Sequence, residues 1–277
     1  MKKDDLNFWI DVSKKIIKNV ENAVSPYVGT KKANKIVMMG ADGTPTKLID
    51  IKAETEVIQV LKDLETPVTL ISEEIGMLKL GDEPSTVYLV VDPLDGTTNA
   101  VKNMPAYGIS IAIAKTSDDK YPTINNVNIG FVKNFATGDL FRAVKGQGSF
   151  INDEKAVPSS VDKLNNSMVG AFIYGTNVKK LDYLCKRVRR MRIMGSVAIE
   201  LCYVADMTYD AFIDLRDNLR IVDIAAAKLI VEEAGGIVTD LDNQTINGKL
   251  TVKDKTSILA ASNKKLHEDI LNVLGGL

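Results

Sequence analysis

Histidine is almost missing from this chain: one residue, His267, near the C-terminal end of 277. That scarcity argues against Ser-His-Asp hydrolysis, phosphohistidine transfer and histidine-rich zinc sites. Cysteine is nearly as rare. Cys185 and Cys202 stand alone, outside any CxxC pair. This pattern fits a reducing compartment, so a cytoplasmic location is expected. No run approaches the roughly 18 apolar residues of a membrane span. The opening Met1-Lys2-Lys3-Asp4-Asp5 lacks the apolar core of a signal peptide. The net charge of −1 gives no global pull toward nucleic acid or an anionic membrane. There is no P-loop, and Gly146-Gln147-Gly148 lacks the third glycine and following helix of a dinucleotide fingerprint. Internal repeats and low-complexity tracts are absent as well.

The composition that remains is that of a globular protein, 45% hydrophobic and 26% charged. The length allows one large domain or two subdomains with an ample core. With 36 acidic residues, hard oxygen-liganded cations are the natural cofactors.

The densest chemistry lies in Leu89-Val90-Val91-Asp92-Pro93-Leu94-Asp95-Gly96-Thr97-Thr98-Asn99. Val87 to Val91 reads as a buried strand. Pro93 cannot continue a central strand, which predicts a turn at Asp92. Thr97 or Thr98 suits an N-cap, so a helix with unpaired N–H groups is expected there. Those donors favour a phosphate, and the two carboxylates favour cations. Asp-Pro-Leu-Asp-Gly is equally good turn chemistry, so this stretch alone does not decide between loop and site.

Trp9, Val12, Ile16, Val20 and Val24 fall at helical spacing, predicting a helix over residues 5–25 that Pro26 ends. Residues 36–47 carry turn signals and read as a mobile loop. A second helix is expected over 48–61 and a buried strand over 68–72, ending at Glu73-Glu74. Strands follow at 108–115, 127–134 and 139–144. From Met168 the pattern alternates. Strands are expected at 168–174, 190–194, 210–215, 237–240 and 257–262, helices at 179–188, 196–207 and 224–234, and a helix at the C-terminus. Residues 1–155 thus read as a helix pair plus an antiparallel sheet, and 156–277 as an alternating α/β part.

Three acidic groups follow strands or open a helix: Glu73-Glu74, Asp92 with Asp95, and Asp223 before Ile224-Ala225-Ala226-Ala227. Taken singly, Asp223 reads as an N-cap and Glu73-Glu74 as a solvated strand end. Together they point elsewhere, because clustered buried carboxylates are costly without cations. Two cations about 3.5–4 Å apart would activate a water and stabilise a leaving oxygen. Lys186-Arg187-Val188-Arg189-Arg190-Met191-Arg192 reads first as a solvated basic surface. Asp240-Leu241-Asp242-Asn243-Gln244 reads as a surface turn.

Asp92-Pro93-Leu94-Asp95-Gly96-Thr97-Thr98-Asn99 resembles the signature of the inositol monophosphatase family of metal-dependent sugar phosphatases. Val222-Asp223-Ile224-Ala225-Ala226 is similar to its second signature, with valine where many members have tryptophan. Gly146-Gln147-Gly148-Ser149-Phe150 and Gly195-Ser196-Val197-Ala198 fit the family's glycine positions. Ser72-Glu73-Glu74-Ile75-Gly76 and the loop 40–47 look most like the archaeal branch, which acts on inositol monophosphate and fructose 1,6-bisphosphate. The resemblance covers nearly the whole chain. It implies a layered αβαβα sandwich of the α/β (α+β) class and a Mg²⁺-dependent phosphomonoesterase of carbohydrate metabolism and gluconeogenesis. Two or three Mg²⁺ per site are implied, with Mn²⁺ as the alternative. The partners are a small phosphorylated sugar or polyol and a second copy in a homodimer.

Carried over by position, the resemblance assigns Glu73, Asp92 and the Leu94 carbonyl to a first metal. Asp92, Asp95 and Asp223 would hold a second, and Glu73 with the mobile loop a weaker third. Asp50 and Thr97 would orient the attacking water, making Asp50, Thr97 and Glu73 the catalytic group. Gly96 and Thr97 would offer N–H groups to the phosphate, Gly195, Ser196 and Asp214 would meet the sugar, and Tyr174 and Arg192 a second phosphate. Two alternatives stand beside this reading: a 3′(2′),5′-bisphosphate nucleotidase, and an RNA-binding protein using Arg187 to Arg192.

Overall fold

The computed structural model describes residues 1–41, 43–82, 84–116, 121–175 and 178–275. Helix α1 (Lys3–Val24) is followed by the hairpin β1 (Ile36–Met39) and β2 (Pro45–Lys47), then α2 (Leu48–Lys62). Next come β3 (Val68–Ser72), β4 (Gly76–Leu80), β5 (Val87–Asp95), α3 (Thr97–Lys102) and β6 (Gly108–Lys115). Then follow β7 (Val127–Asn134), β8 (Leu140–Val144), β9 (Gly148–Ile151), β10 (Glu154–Lys155), β11 (Met168–Phe172), α4 (Val178–Cys185) and β12 (Arg190–Arg192). The chain closes with α5 (Val197–Cys202), β13 (Ala211–Arg220), α6 (Ile221–Ala234), β14 (Ile237–Thr239), β15 (Lys255–Ala261) and α7 (Lys264–Gly275).

Hydrophobic pattern explains the layering. The stripe Trp9, Val12, Ile16 and Val20 of α1 packs with Ile49, Ala53 and Val57 of α2 against one face of an eight-stranded sheet ordered β10-β9-β8-β7-β6-β5-β3-β4. Helix α6 is largely apolar around its circumference, with Ile221 to Val231 buried, Asp223 and Lys228 among them, as suits a helix between two sheets. With α5 it fills the space between the first sheet and a five-stranded sheet ordered β12-β11-β13-β15-β14. The approach is close at Gly130 of β7, where a Cβ would stand 2.8 Å from the Ala226 carbonyl oxygen. Leu266, Ile270 and Leu274 of α7, with Leu184 of α4, cover the outer face of the second sheet. The order helices, sheet, helices, sheet, helices is the expected αβαβα sandwich.

Several local expectations are corrected. The first sheet is not wholly antiparallel, since β3 pairs parallel with β5. Strand β5 does not turn at Asp92 but runs on to Asp95. Its register against β6 shifts between Asp92↔Ser110 and Asp95↔Gly108, and Pro93, which has no N–H to give, falls inside that bulge. Residues 36–47 form a hairpin rather than a plain loop, docked by the Ala41 N–H on the Glu74 carbonyl at 2.8 Å. Asp42, in the same loop, lies outside the described residues. The helix after the motif is capped by Gly96 and not by a threonine. Asp223 is no N-cap either: α6 begins at Ile221, Arg220 is the cap residue and Asp223 sits in the first turn. Strand β4, absent from the sequence reading, pairs antiparallel with β3.

Candidate active site

Strand ends and one helix start converge on a cavity of about 320 Å³. Glu73 leaves the end of β3, Asp92 and Asp95 the end of β5, and Asp223 the first turn of α6; all four line the cavity. Carboxylate oxygens of Glu73, Asp92 and Asp223 lie within 4.8 Å of one another. An all-oxygen donor set this tight suits a hard cation, because it exceeds what water alone would tolerate as neighbouring charge.

The bulge in β5 is what aims both aspartates inward. It also leaves the Leu94 carbonyl oxygen 3.1 Å from Thr97 Oγ1. The Asp92 Oδ1 accepts the Leu94 N–H at 3.1 Å. Asp95 is held from the opposite element: Oδ2 accepts the Ser196 hydroxyl and, at 2.8 Å, the Ala198 N–H. Gly96 turns the chain with φ +79°, and a Cβ there would lie 2.5 Å from the Ala106 carbonyl oxygen. Both facts restrict that position to glycine.

Burial pushes the Asp92 carboxyl well above the usual carboxylate range, helped by Glu73, Asp95 and Asp223, while Arg220 pulls the other way. Burial likewise raises Asp95 to about 6, against the Ser196 hydrogen bond that lowers it. Asp50 is buried in the first turn of α2 and raised by that burial. Its Oδ1 accepts the Thr97 hydroxyl at 2.8 Å, and its Oδ2 the Lys47 N–H at 2.9 Å.

The substrate-side residues divide. Tyr174 and Gly195 line the cavity. Ser196 is fully buried and spends its hydroxyl on Asp95, so its side chain steadies a carboxylate and only its backbone is left for the expected sugar contact. Asp214 is fully buried and bound through both oxygens to Arg216 at 2.6–3.1 Å. Burial closes it to ring hydroxyls. Arg192 is exposed on the edge strand β12, its Nη1 turned to the Met191 carbonyl at 3.0 Å, and it does not line the cavity. The basic groups that do line it are Arg216, Arg220 and Lys255. Arg216 stacks between the rings of Phe172 and Tyr174, 4.7 and 4.6 Å from their centroids, and donates to the Tyr174 hydroxyl at 2.6 Å. Sequence reading missed these three.

Known proteins resemble the chain over nearly its whole length. The model of the inositol monophosphatase family matches residues 5–275. A fructose-1,6-bisphosphatase/inositol-1-monophosphatase of Methanothermobacter thermautotrophicus is 56% identical over 278 residues, covering 99% of each chain. A bifunctional NADP phosphatase/NAD kinase of Methanocaldococcus jannaschii is 39% identical over 95% of this chain, which spans 50% of that protein. A solved Pyrococcus horikoshii protein, described as similar to inositol-1 monophosphatase, superposes with TM-score 0.82 at 31% identity, covering 96% of this chain and 98% of its own. Matched across nearly its full length by family model, relatives and fold, the chain belongs to the inositol monophosphatase family.

Proposed function

We propose that the chain is a Mg²⁺-dependent phosphomonoesterase acting on fructose 1,6-bisphosphate and inositol 1-phosphate. The observation that carries the reading is the convergence of Glu73, Asp92 and Asp223 oxygens within 4.8 Å on one open cavity. The 56% identical relative bears both activities in its name, which favours sugar and polyol phosphates over the nucleotidase and RNA-binding alternatives. A homodimer and a role in gluconeogenesis rest on the family resemblance alone.

In this reading Glu73, Asp92 and the Leu94 carbonyl would hold one cation, and Asp92, Asp95 and Asp223 would hold a second. When bound, Mg²⁺ supplies Lewis acidity, lowering the pKa of a water and offsetting charge on the leaving oxygen. The protein supplies the rest. Thr97 presents its oxygen to the attacking water while its own proton already points at Asp50. As the water attacks phosphorus and the P–O bond to the alcohol breaks, the water's proton passes to Thr97 and the Thr97 proton to Asp50, whose raised affinity for a proton suits an acceptor, while the departing alkoxide takes a proton from solvent. The N–H groups at the start of α3, which have no carbonyl inside the helix, receive the phosphate oxygens. The residues of 1–155 thus carry most of the metal and water chemistry, and Asp223 is brought to it from the second part.

Phosphate release tests this. Fructose 1,6-bisphosphate, inositol 1-phosphate, adenosine 3′,5′-bisphosphate and NADP are assayed in parallel against Mg²⁺ concentration. Turnover of the first two, abolished by EDTA and by Asp92→Asn in a folded protein, is expected. Equal rates on all four would remove the substrate claim, and Mg²⁺-independent turnover would remove the mechanism.

A further inference from the structure

Arg220 closes β13 and caps α6, with φ −72° and ψ 142°. That extended conformation turns its side chain back over the helix it precedes. Its Nε donates to both oxygens of Asp223, at 3.1 and 2.9 Å, and its Nη1 donates to Glu73 Oε1 at 2.8 Å. Two of the three carboxylates of the cation cluster are therefore bridged by one guanidinium, from segments 147 residues apart in the chain. The side chains are only 12–19% exposed, so their charges meet little screening.

A guanidinium and a divalent cation make the same demand on these oxygens. Asp223 accepts with both of its oxygens, and Glu73 with the one facing Arg220. An ion coordinated to those groups would stand beside a fixed positive charge in a partly buried site, where Coulomb repulsion is strong. Arg is suited to the stand-in role because its planar fork spans two carboxylates, which the point charge of a lysine does not.

We propose that Arg220 is a resident counter-ion. It neutralises the carboxylate cluster in the metal-free protein and must release Glu73 or Asp223 before the cluster loads. It thereby weakens cation affinity and makes loading a rearrangement of the chain's own ion pairs. This rests on the reading of the cluster as the cation site.

The test compares the unsubstituted protein, Arg220→Gln and Arg220→Lys after stripping with EDTA. Calorimetric titration with Mg²⁺ reads affinity, and thermal unfolding in EDTA reads the metal-free fold. Arg220→Gln is expected to bind Mg²⁺ about tenfold more tightly, since the charge-assisted bonds to be broken are gone. Its metal-free Tm should fall by about 5 °C, because the carboxylates lose their neutralising partner. Arg220→Lys, which keeps the charge and loses the fork, should fall between the two proteins in both measurements, and it decides the matter if the glutamine variant does not fold. Equal or weaker Mg²⁺ binding by the substituted proteins, with an unchanged Tm, overturns the proposal and leaves the cluster reading standing. No Mg²⁺ uptake by the unsubstituted protein overturns both.

Discussion

The hydroxyl of Thr97 donates to Oδ1 of Asp50 at 2.8 Å, joining residues 47 positions apart in the chain. The same hydroxyl lies 3.1 Å from the Leu94 carbonyl oxygen, so one oxygen touches a helix start, a strand end and a carboxylate from another helix. A hydroxyl whose proton is directed at Asp50 leaves its lone pairs for a water on the cavity side. Thr97→Ala should lower kcat by about 10²–10⁴-fold, the usual worth of positioned proton transfer. KM and Mg²⁺ affinity should stay within about threefold, and Thr97→Ser should recover most of the rate because it restores the oxygen. Steady-state kinetics with calorimetric Mg²⁺ titration checks both. An alanine variant that keeps more than a tenth of the rate would remove Thr97 from the proton path.

One turn of α2 beyond Asp50, Glu54 is buried, and neither of its carboxylate oxygens has a hydrogen-bond partner among the described residues; the Ser72 Oγ is in the same position. Burial pushes Glu54 up to about 7, and the charges of Glu74 and Asp50 add to the rise. A carboxyl whose pKa is raised on folding stabilises the fold when protonated. The contribution is fully present below the ordinary value of 4.5, falls as pH rises and is lost above about 7. At about 1.4 kcal/mol per unit the loss is of the order of 3 kcal/mol. Glu54→Gln cannot ionise. Denaturant unfolding from pH 4.5 to 8 should therefore show the variant gaining on the unsubstituted protein across that window and the two running parallel above it. Parallel curves throughout would mean that Glu54 stays charged or is paired.

Much of this site was legible in the sequence because its residues are chemically out of place. Carboxylates at the ends of apolar strands, at Glu73 and Asp92, demand an explanation that a solvated loop does not. The sandwich was legible through the family resemblance, while the residues themselves showed the α1 stripe and an apolar helix after Asp223. What escaped depended on backbone geometry or on tertiary pairing. Pro93 argued for a turn, and a bulge accommodated it instead. Gly96 took the cap position from Thr97 by adopting a left-handed φ that threonine disfavours. Asp214 looked available until Arg216, two residues on, claimed both of its oxygens. Arg220 offered only its local i,i+3 pairing with Asp223, while its reach to Glu73, 147 positions away, is tertiary.

The basic residues of the cavity give a substrate test. Arg216 is a poor target, because its removal would leave Asp214 charged, unpaired and fully buried, at a cost of several kcal/mol to the fold. Lys255 is exposed, lines the cavity and donates to the Asn218 side chain, so it can be removed without that penalty. If the far wall receives the second phosphate of fructose 1,6-bisphosphate, Lys255→Ala should raise KM for that substrate about tenfold, the worth of one charge-assisted bond. Inositol 1-phosphate, with one phosphate, should change by less than about twofold. Arg192→Ala should change neither, since Arg192 lies outside the cavity. The same loss for both substrates would move Lys255 from specificity to general electrostatics.

Glu200 concerns the loop that faces the end of β5. Its Oε1 accepts the N–H groups of Met194 and Gly195 at 3.0 and 2.8 Å, and its Oε2 the Tyr209 hydroxyl at 3.2 Å. The next residue, Ser196, donates to Asp95, so the clamp on residues 194 and 195 also fixes a proposed cation ligand. The side chain is fully buried, and burial raises its pKa to about 7. Glu200→Ala leaves buried donors unpaired at about 1–3 kcal/mol each, and a loss of about 3 kcal/mol in unfolding free energy is expected. Asp95 loses its alignment in that variant, so Mg²⁺ affinity should fall as well. Glu200→Gln keeps a carbonyl oxygen for the two N–H groups and turns an amide N–H toward Tyr209, as a protonated acid would. At pH 6 it should match the unsubstituted protein in Tm to within a degree or two and bind Mg²⁺ with unchanged affinity. If glutamine fails as badly as alanine, the charge of Glu200, and not its shape, holds the loop.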